Sequence, residues 1–456
     1  MAANSDVVVV MVPYPEFGHL NPLLRLSQLI TSNNIPVHYV SFASRNHELR
    51  QRQQEGHDQF TNIQFHDLKV SCNYDEEDYH SYWETFKEIS DPLCEICRKL
   101  YSTGNWKRVV VIHDAVLQDV VECVYSFNYV ETYFFHALPA ITMYTLYKQA
   151  SDEEGDYNRY NDDFFSKVKA HIPSIDTSFK PEMKVFTYVL RDCKFKHGDI
   201  FNTCRELEGP YLDALSKQSV TPVWGLGPLD RVHVLSDDKE SCKSHRCIQW
   251  LNKQPLNSVI FLSFGTANTF SIEQIHMIAM GLERSEQKFI WVLREADKKT
   301  GDNVSGVTSN IELPIGFEER VSGRGIIERG WVPQSKILAH PSTGGYFFHS
   351  GWNSFLESAI MGVPMATWPL NVDNPINDVL ITKVLKVGLV VREWADRDEL
   401  VKAEKIEVAV RTLMNSPEGE EIRQRATELS KAIKMSIGDG GSTQKEMNSF
   451  IAHITR

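Results

Sequence analysis

The residues with the clearest chemical use stand together in the run HSGWNS, residues 349–354. An apolar segment precedes this run, and from Ser354 onward the sequence reads as a helix that Gly362 closes. The first turn of a helix has free N–H groups and the positive end of the helix dipole, so it attracts anions. His349, Asn353 and Ser354 add side-chain donors to that turn. The pattern therefore predicts a site for phosphate oxygens.

A second polar turn follows the apolar run at residues 7–12. Asn21 suits the cap of the next helix and Pro22 suits its first position, which predicts that Gly18 and His19 lie in the loop before that helix. A histidine titrates near neutral pH and can act as a general base. The alternative is that His19 is a loop histidine held by hydrogen bonds.

A third polar turn ends the apolar run at residues 109–112 with His113 and Asp114. An aspartate bonded to an imidazole fixes the tautomer of the ring and stabilises its cation. Asp114 can serve His19 in this way only if the two strands are neighbours. The alternative is that Asp114 caps the helix that follows.

Short β-branched and aromatic runs alternate with helical patterns along most of the chain, and the series restarts after residue 255. This alternation predicts βαβ units and parallel sheets, whose ligands bind at the carboxyl ends of the strands. The predicted strands are residues 7–12, 37–42, 109–112 and 133–135 in the first series and 259–263, 289–293, 325–327, 345–348, 365–368 and 388–391 in the second.

The length of 456 residues is too great for one hydrophobic core and predicts two domains. We place an N-terminal domain at residues 1–240 and a C-terminal domain at residues 241–456, with the option that the last helix returns to the first domain. The polar, charge-mixed stretch at residues 228–247 is the predicted junction.

The composition is that of an ordinary globular protein, with 42% hydrophobic and 24% charged residues and a net charge of −12. The acidic balance argues against nucleic acid as a partner. The apolar run at residues 7–12 ends at Pro13, too short for a signal peptide, and no apolar stretch approaches the ~18 residues that a membrane span needs. We expect no membrane insertion.

The eight cysteines show no pairing pattern, and the CxxC of Cys94 and Cys97 lacks the second half of a zinc set. Because the sequence shows no secretion signal, we expect the cysteines to be reduced thiols, which predicts a cytoplasmic protein. No bound metal or cofactor is expected.

Together with the residues around it, the run HSGWNS resembles the signature box of the plant family 1 UDP-sugar glycosyltransferases. The box covers the 44 residues from Trp331 to Asn374. Other segments match that family in order along nearly the whole chain: GHLNP, IHD, FNTCRELEG, GLGPL, QWLNKQP and FLSFGT. The N-terminal half is most similar to the zeatin O-glucosyltransferase branch.

This resemblance implies a GT-B fold, in which two Rossmann-like, doubly wound parallel-sheet domains face each other across a cleft. The N-terminal domain would hold the acceptor and the C-terminal domain the UDP-sugar. It also implies an inverting transferase with His19 as base and Asp114 as its partner. No DxD metal motif is convincingly placed, so metal independence is expected, and we expect a monomer.

The resemblance assigns UDP-sugar binding to a set of residues that comes mostly from the box. They are Gly18, Gly265, Thr266, Trp331, Val332, Gln334, His349, Gly351, Trp352, Asn353, Ser354, Glu357, Asp373 and Asn374.

Within that set the implied roles differ by position. Trp331 stacks on uracil and Val332 bonds it through the backbone, while Gln334 and Glu357 hold the ribose. The diphosphate lies on the helix start.

The sugar is bordered by Trp352, Asp373 and Asn374, and Gly265 and Thr266 line the phosphates. The box usually ends in glutamine, and here it ends in Asn374. Its shorter side chain changes which sugar hydroxyls the amide can reach. Glucose is the first expectation, and xylose, galactose and arabinose stay open.

The expected acceptor is a hydroxyl of a small apolar plant metabolite, either a cytokinin such as zeatin or a flavonoid or other phenolic. Aromatic residues are frequent in the N-terminal half and suit a flat acceptor, although each is more often part of a core. They are Tyr79, Tyr82, Trp83, Phe86, Tyr133, Phe134 and Tyr144.

Three other functions compete with O-glycosylation. C-glycosylation of an electron-rich phenolic ring uses the same donor site. A nicotinamide dehydrogenase also has Rossmann-like domains, but neither domain has a GxGxxG after its first strand. A non-catalytic UDP-sugar-binding protein would keep the box and could lose His19 or Asp114, and this chain keeps both.

Overall fold

Two parallel β-sheets organise the chain in the computed structural model. The structure describes residues 6–54, 62–69, 86–104, 106–160, 162–179, 187, 190–230, 245–265, 270–293 and 312–456, with side chains left out at residues 52–54. Two compact units result, and each contains one sheet. The first comprises Met1–Asp162, Lys180–Val232 and Met435–Arg456, and the second comprises Asp163–Phe179 and His233–Lys434.

The sheet of the first unit has seven parallel strands in the order β3-β2-β1-β4-β5-β6-β7. β1 consists of six aliphatic residues that are all buried, because helices cover both faces of the sheet. The strands are β1 Val7–Val12, β2 Val37–Phe42, β3 Ile63–Leu68, β4 Arg108–Asp114, β5 Val130–His136, β6 Lys196–Phe201 and β7 Val223–Gly225.

The sheet of the second unit has six parallel strands in the order β10-β9-β8-β11-β12-β13. Its strands are again short and apolar, and its core contains two fully buried tryptophans, Trp291 and Trp368. The strands are β8 Val259–Ser263, β9 Lys288–Val292, β10 Gly325–Glu328, β11 Thr343–Phe348, β12 Met365–Thr367 and β13 Gly388–Val390.

Helices connect the strands and cover the sheets. They are α1 Phe17–Thr31, α2 Ala43–Gln54, α3 Ser90–Thr103, α4 Gln118–Val121, α5 Ala140–Glu153, α6 Asp163–Ser166, α7 Arg205–Gln218, α8 Arg246–Leu251, α9 Ile272–Ser285, α10 Phe317–Arg320, α11 Gln334–Leu338, α12 Trp352–Met361, α13 Asn374–Val379, α14 Ala403–Asn415, α15 Pro417–Ile437 and α16 Ser442–Ile454.

The predicted class of fold, two doubly wound parallel sheets, is confirmed. Every strand predicted from the sequence is present to within a few residues. Three strands, β3, β6 and β7, were not predicted. β6 escapes because Lys196 and Asp199 interrupt its apolar pattern, and these two side chains neutralise each other inside the sheet at 2.9 Å.

The last helix, α16, packs in the first unit against β7. Trp224 of β7 contacts Phe450 with ring centroids 5.2 Å apart, and the Gly225 N–H donates to Glu446 at 2.6 Å. The predicted junction between the domains lies mostly at residues 231–244, outside the described residues. The division at residue 240 stays a prediction.

The thiols of Cys94 and Cys97 lie buried in α3, and all cysteines in the described ranges are free. Burial raises the pKa of Cys97 to about 12, which makes it a poor metal ligand or redox thiol. Within the same ranges, no helix combines the length and the apolar content that crossing a bilayer requires.

A buried carboxyl group in the first unit predicts a dependence of stability on pH. Glu208, in α7, accepts hydrogen bonds from the Ile141 N–H at 2.7 Å and the Ala140 N–H at 3.1 Å, at the start of α5. Burial raises its pKa from 4.5 to about 7. The folded state therefore binds a proton more tightly than the unfolded state, and this group's contribution to stability falls as pH rises from 4.5 to 7.

We expect Glu208→Gln to flatten that pH dependence, by on the order of 2–3 kcal/mol between pH 4.5 and 7.5. Urea unfolding at both pH values measures it. The exposed Glu418→Gln is the control and should keep the wild-type slope. An unchanged slope in Glu208→Gln would contradict the assignment.

Candidate active site

The first polar constellation forms where the strand order of the first sheet reverses. β1 pairs in parallel with β4, and Val12 lies opposite His113. His19 follows β1 and Asp114 ends β4, so the two side chains meet at the carboxyl edge of the sheet. His19 Nδ1 lies 2.6 Å from Asp114 Oδ2. This supplies the strand adjacency that the sequence could not establish.

The Asp114 carboxylate makes two contacts at once. Its Oδ1 accepts the Val116 N–H at 3.2 Å, which caps the 3-10 turn Ala115–Leu117, while its Oδ2 accepts from His19. The Asp114 side chain is 2% exposed and that of His19 is 25% exposed. A buried carboxylate that accepts from Nδ1–H leaves the Nε2 lone pair of the imidazole as the basic atom.

The position of His19 differs from the prediction in one respect. α1 begins at Phe17, so Gly18 and His19 lie in its first turn and Pro22 lies inside the helix. Pro22 sits in the second turn, where it lacks only one intrahelical hydrogen bond, and the apolar face of Leu20, Leu23 and Leu24 is buried. Burial of that face outweighs the preference of proline for the first position.

The Tyr14 ring contacts His19, with ring centroids 5.0 Å apart, and it contacts Phe86 at 5.3 Å. The sequence analysis missed Tyr14, and its only signal is its place in the turn after β1. Of the aromatic residues proposed for the acceptor, Phe86, Tyr133, Phe134 and Tyr144 are fully buried and belong to the core. The remaining three, at residues 79, 82 and 83, lie outside the described residues.

The second constellation forms at the corresponding place in the other sheet. The strand order there reverses between β8 and β11, which pair in parallel with Ser263 opposite Phe348. Gly265 follows β8 and His349 follows β11. A Cβ on Gly265 would lie 3.1 Å from the His349 ring, and one on Gly351 only 2.3 Å from its Nε2. The two glycines therefore leave the space that the ring occupies.

His349 is buried and neutral. Burial lowers its pKa to about 4, and a backbone hydrogen bond with Ser263 acts against that shift. Of its two ring nitrogens, Nε2 lies nearer to Gly265 and Gly351. Thr266, predicted to line the same site, lies outside the described residues.

The helix after this turn begins two residues earlier than predicted. α12 starts at Trp352 with Gly351 at the capping position, so Asn353 and Ser354 lie in its first turn. The shift moves the helix start, with its N–H groups and dipole end, two residues closer to His349, which is compatible with the predicted anion site. Gly362 ends the helix in the left-handed conformation, as predicted.

The residues predicted to hold a ribose form one hydrogen-bonded group. Gln334 Nε2 donates to Glu357 at 2.6 Å and to Ser354 Oγ at 3.2 Å. Tyr346, which the sequence analysis missed, donates its hydroxyl to Gln334 Oε1 at 3.2 Å. Gln334 thereby orients the Glu357 carboxylate.

Two of the predicted tryptophans differ in exposure. Trp331 is 54% exposed, which leaves its ring open for stacking, and the adjacent Val332 is buried. Trp352 is 4% exposed, and its ring packs against Phe355 with centroids 5.0 Å apart.

The end of the box forms a buried network with the HSGWNS turn. Asn377 donates to Asp373 Oδ2 at 2.7 Å and to the Ser350 carbonyl at 2.9 Å. Ser350 has a φ of 63°, a left-handed conformation that is strained for a residue other than glycine. Asn377 was missed, although its place one helical turn after Asp373 is a usable signal. The network holds a strained loop in one shape.

The Asn374 side chain is occupied within its own loop. Its amide nitrogen donates to Asp373 at 3.2 Å, and its amide oxygen accepts the Leu370 N–H at 3.4 Å. The residue is buried. The shorter amide thus serves to shape the loop.

Within the described residues, one cluster has the composition of a metal site: His245, Cys247 and Glu328. Two of its three side chains, those of His245 and Glu328, already make hydrogen bonds. His245 Nδ1 accepts the Cys247 N–H at 3.2 Å, and Glu328 accepts from Arg246 at 2.5 Å. Burial raises the pKa of the Cys247 thiol to about 11, so the thiolate is disfavoured. The contacts explain the cluster as a helix cap and an ion pair.

The chain matches known protein families over most of its length. The family model "Glycosyltransferase, N-terminal domain" matches residues 5–231, and the model "UDP-glucoronosyl and UDP-glucosyl transferase" matches residues 233–431. The chain is 43% identical to zeatin O-glucosyltransferase of Phaseolus lunatus, over 99% of this chain and 98% of that protein. It is 42% identical to zeatin O-xylosyltransferase of Phaseolus vulgaris, over the whole of both.

Solved structures share the fold. Phytolacca americana UGT2 in complex with UDP-2fluoro-glucose and pterostilbene has a TM-score of 0.78 at 24% identity, covering 99% of this chain and all of that one. TcCGT1 in complex with UDP also has a TM-score of 0.78, at 25% identity and 98% coverage of each chain. The protein therefore has a GT-B fold and belongs to the UDP-glycosyltransferase family. It is an enzyme that transfers a sugar from a UDP-sugar to a small molecule.

The space around His349 yields a prediction. Gly351→Ala keeps an allowed backbone conformation, since φ is −68°, but its Cβ would displace the His349 ring. We expect the affinity for UDP to fall by about tenfold or more, measured by isothermal titration calorimetry. The matched control is Gly209→Ala, where the new Cβ meets its nearest neighbour at 3.7 Å. Unchanged UDP affinity in Gly351→Ala would show that the ring does not need this space.

Proposed function

We propose that this enzyme transfers glucose from UDP-glucose to a hydroxyl of a small apolar plant metabolite, and that a cytokinin such as zeatin is the first acceptor to test. The observation that supports catalysis is the His19–Asp114 pair, a part-exposed imidazole held at 2.6 Å by a buried carboxylate. A protein that only binds UDP-sugars has no use for a base poised in this way.

The proposed reaction is a single displacement. His19 Nε2 takes the proton of the acceptor hydroxyl as that oxygen attacks the anomeric carbon. The bond between that carbon and the diphosphate oxygen breaks, UDP leaves with the electron pair, and the configuration inverts. Asp114 stabilises the imidazolium that forms. The transition state has oxocarbenium character, by analogy with glycoside chemistry.

The leaving group gains negative charge during this step. The N–H groups at the start of α12 and the donors on Asn353 and Ser354 favour that charge, and the His349 tautomer with hydrogen on Nε2, the nitrogen beside Gly351, donates to it as well. Trp331, open to solvent, suits the uracil, and Glu357 suits the ribose hydroxyls.

The choice of sugar is supported less directly. The relative at 43% identity is named for glucose and the one at 42% for xylose, so similarity alone does not separate these donors. The occupied amide of Asn374 offers the sugar fewer contacts than a free amide would. Glucose stays the first choice because three of the four zeatin-named relatives transfer it by name.

The acceptor class rests on the relatives' names and on the surroundings of His19. Tyr14 provides an aromatic surface next to the base, which suits a flat, apolar acceptor. C-glycosylation of a phenolic ring is the alternative within the same donor chemistry. We further propose that the enzyme works as a monomer in the cytoplasm.

The base and its partner can be tested by substitution. We expect His19→Ala to lower kcat by about 10²–10⁴-fold, and Asp114→Asn to lower it strongly because the imidazole tautomer is no longer enforced. UDP release with UDP-glucose and trans-zeatin measures turnover, and calorimetry with UDP should show unchanged binding. His47→Ala, an exposed histidine of α2, is the control. Near-wild-type turnover in His19→Ala would remove it from the mechanism.

The proposal also excludes a need for a divalent metal, since protein donors compensate the diphosphate charge. We expect full turnover after dialysis against EDTA, measured with the same UDP-release assay. Loss of turnover that Mg²⁺ or Mn²⁺ restores would overturn this part of the proposal and leave the role of His19 intact.

A further inference from the structure

A segment from the N-terminal half of the chain packs against the sugar end of the donor box. Asp163–Phe179, here called the arm, belongs to the second unit. Its side chains Ile175 and Phe179 are buried, which anchors the arm. The arm lies outside the signature box in sequence, so the box motif contains no information about it.

The first contact holds a strained backbone. The Val372 N–H donates to the Ser178 carbonyl at 3.2 Å. Val372 has a φ of 49°, a left-handed conformation that a β-branched residue adopts only under constraint. It immediately precedes Asp373 and Asn374, the residues that the family resemblance assigns to the sugar. The arm thus meets the sugar loop at its most strained point.

A second series of contacts connects the arm to Pro369, at the start of the same loop. The Trp394 indole N–H donates to Thr177 Oγ1 at 2.8 Å, and the Thr177 hydroxyl donates to the Ser174 carbonyl at 2.7 Å. The Arg397 guanidinium lies over the Trp394 ring, 5.1 Å from its centroid. Because the Thr177 hydroxyl donates to the Ser174 carbonyl, its direction is set, and it orients the Trp394 indole that donates to it.

From Arg397 the series of contacts continues to buried residues. The Arg397 carbonyl accepts from Arg392 at 3.0 Å, and the buried Arg392 also donates to the Pro369 carbonyl and lies 5.4 Å from the Trp368 ring centroid. The loop of residues 369–374 is thus held from the arm at two points, at Pro369 through Thr177 and at Val372 through Ser178.

We infer that Thr177 and Ser178 are positioning residues for the donor sugar, which act by holding the loop of residues 369–374 in its binding shape. This inference rests on the proposed function, because Asp373 and Asn374 must face the sugar. It assigns part of the donor selectivity to a segment that precedes the box by about 150 residues. The Asn374 amide makes its hydrogen bonds inside the loop. Selectivity between donor sugars therefore depends on the conformation in which the loop is held.

The test uses Thr177→Val, which removes the acceptor for the Trp394 indole at constant shape, and Trp394→Phe, which removes the donor. Calorimetry compares the Kd values for UDP-glucose and for UDP. We expect each variant to weaken UDP-glucose by about 3- to 10-fold relative to UDP, the effect of one net hydrogen bond. The double variant should weaken it no further than Thr177→Val alone, because that change already removes the bond that Trp394→Phe removes. Thr177→Ser keeps the hydroxyl and should behave as wild type.

The control is Lys167→Ala in the same arm, an exposed side chain outside the turn that contains Thr177, and it should leave the ratio of Kd values unchanged. A purely structural role for Thr177 would lower Tm and weaken UDP and UDP-glucose equally, and that result would overturn the inference. The ratio of kcat/KM for UDP-glucose over UDP-xylose is the second readout, expected to change in Thr177→Val. If the wild type turns over no acceptor, the proposed function fails, while the binding ratio still decides the inference.

Discussion

The reversal of strand order in each sheet is the constraint on which the chemistry of this enzyme depends. In the first sheet β1 pairs with β4, and in the second β8 pairs with β11. At each reversal the neighbouring connections leave on opposite faces and open a crevice at the carboxyl ends of the strands. His19 and Asp114 meet at one crevice, and Gly265 and His349 meet at the other. Neither pair could form if the strands followed their order in the sequence.

Burial then determines what these groups can do. Asp114 is buried and satisfied by two donors, so it orients an imidazole that stays partly open. His349 is buried, and burial lowers its pKa so that the ring is neutral. The two histidines suit different proposed roles because their surroundings differ: a buried carboxylate orients the part-exposed His19, and burial disfavours a proton on His349.

The proposed donor site depends on backbone conformations that its loops would not adopt in isolation. Ser350 and Val372 are both left-handed, and each lies in a polar turn. Asn377 holds the carbonyl of Ser350, and Ser178 holds the N–H of Val372. The holding groups come from a helix and from a distant segment of the chain, so the loops are preorganised by tertiary structure and not by their own residues.

The sequence by itself determined the class of fold and the position of the polar turns at the carboxyl ends of the strands. Aliphatic runs between helical patterns can be buried only as strands of parallel sheets, and the polar residues that end them must lie at the ligand-binding edge. The first helix was placed too late, because local preferences at Asn21 and Pro22 yield to burial of the leucines around them. β6 was missed because its buried charges are paired only in the folded state.

Tertiary structure alone decided the distances and the holding contacts. It brought His19 to Asp114 across 95 positions of sequence, placed four of the proposed acceptor aromatics in the core, and tied the Asn374 amide into its own loop. It also set the arm against Val372. The pattern of residue types along the sequence predicts which side chains lie at the end of a strand. It does not predict which residues contact those side chains, because neighbours in the folded structure come from distant parts of the chain.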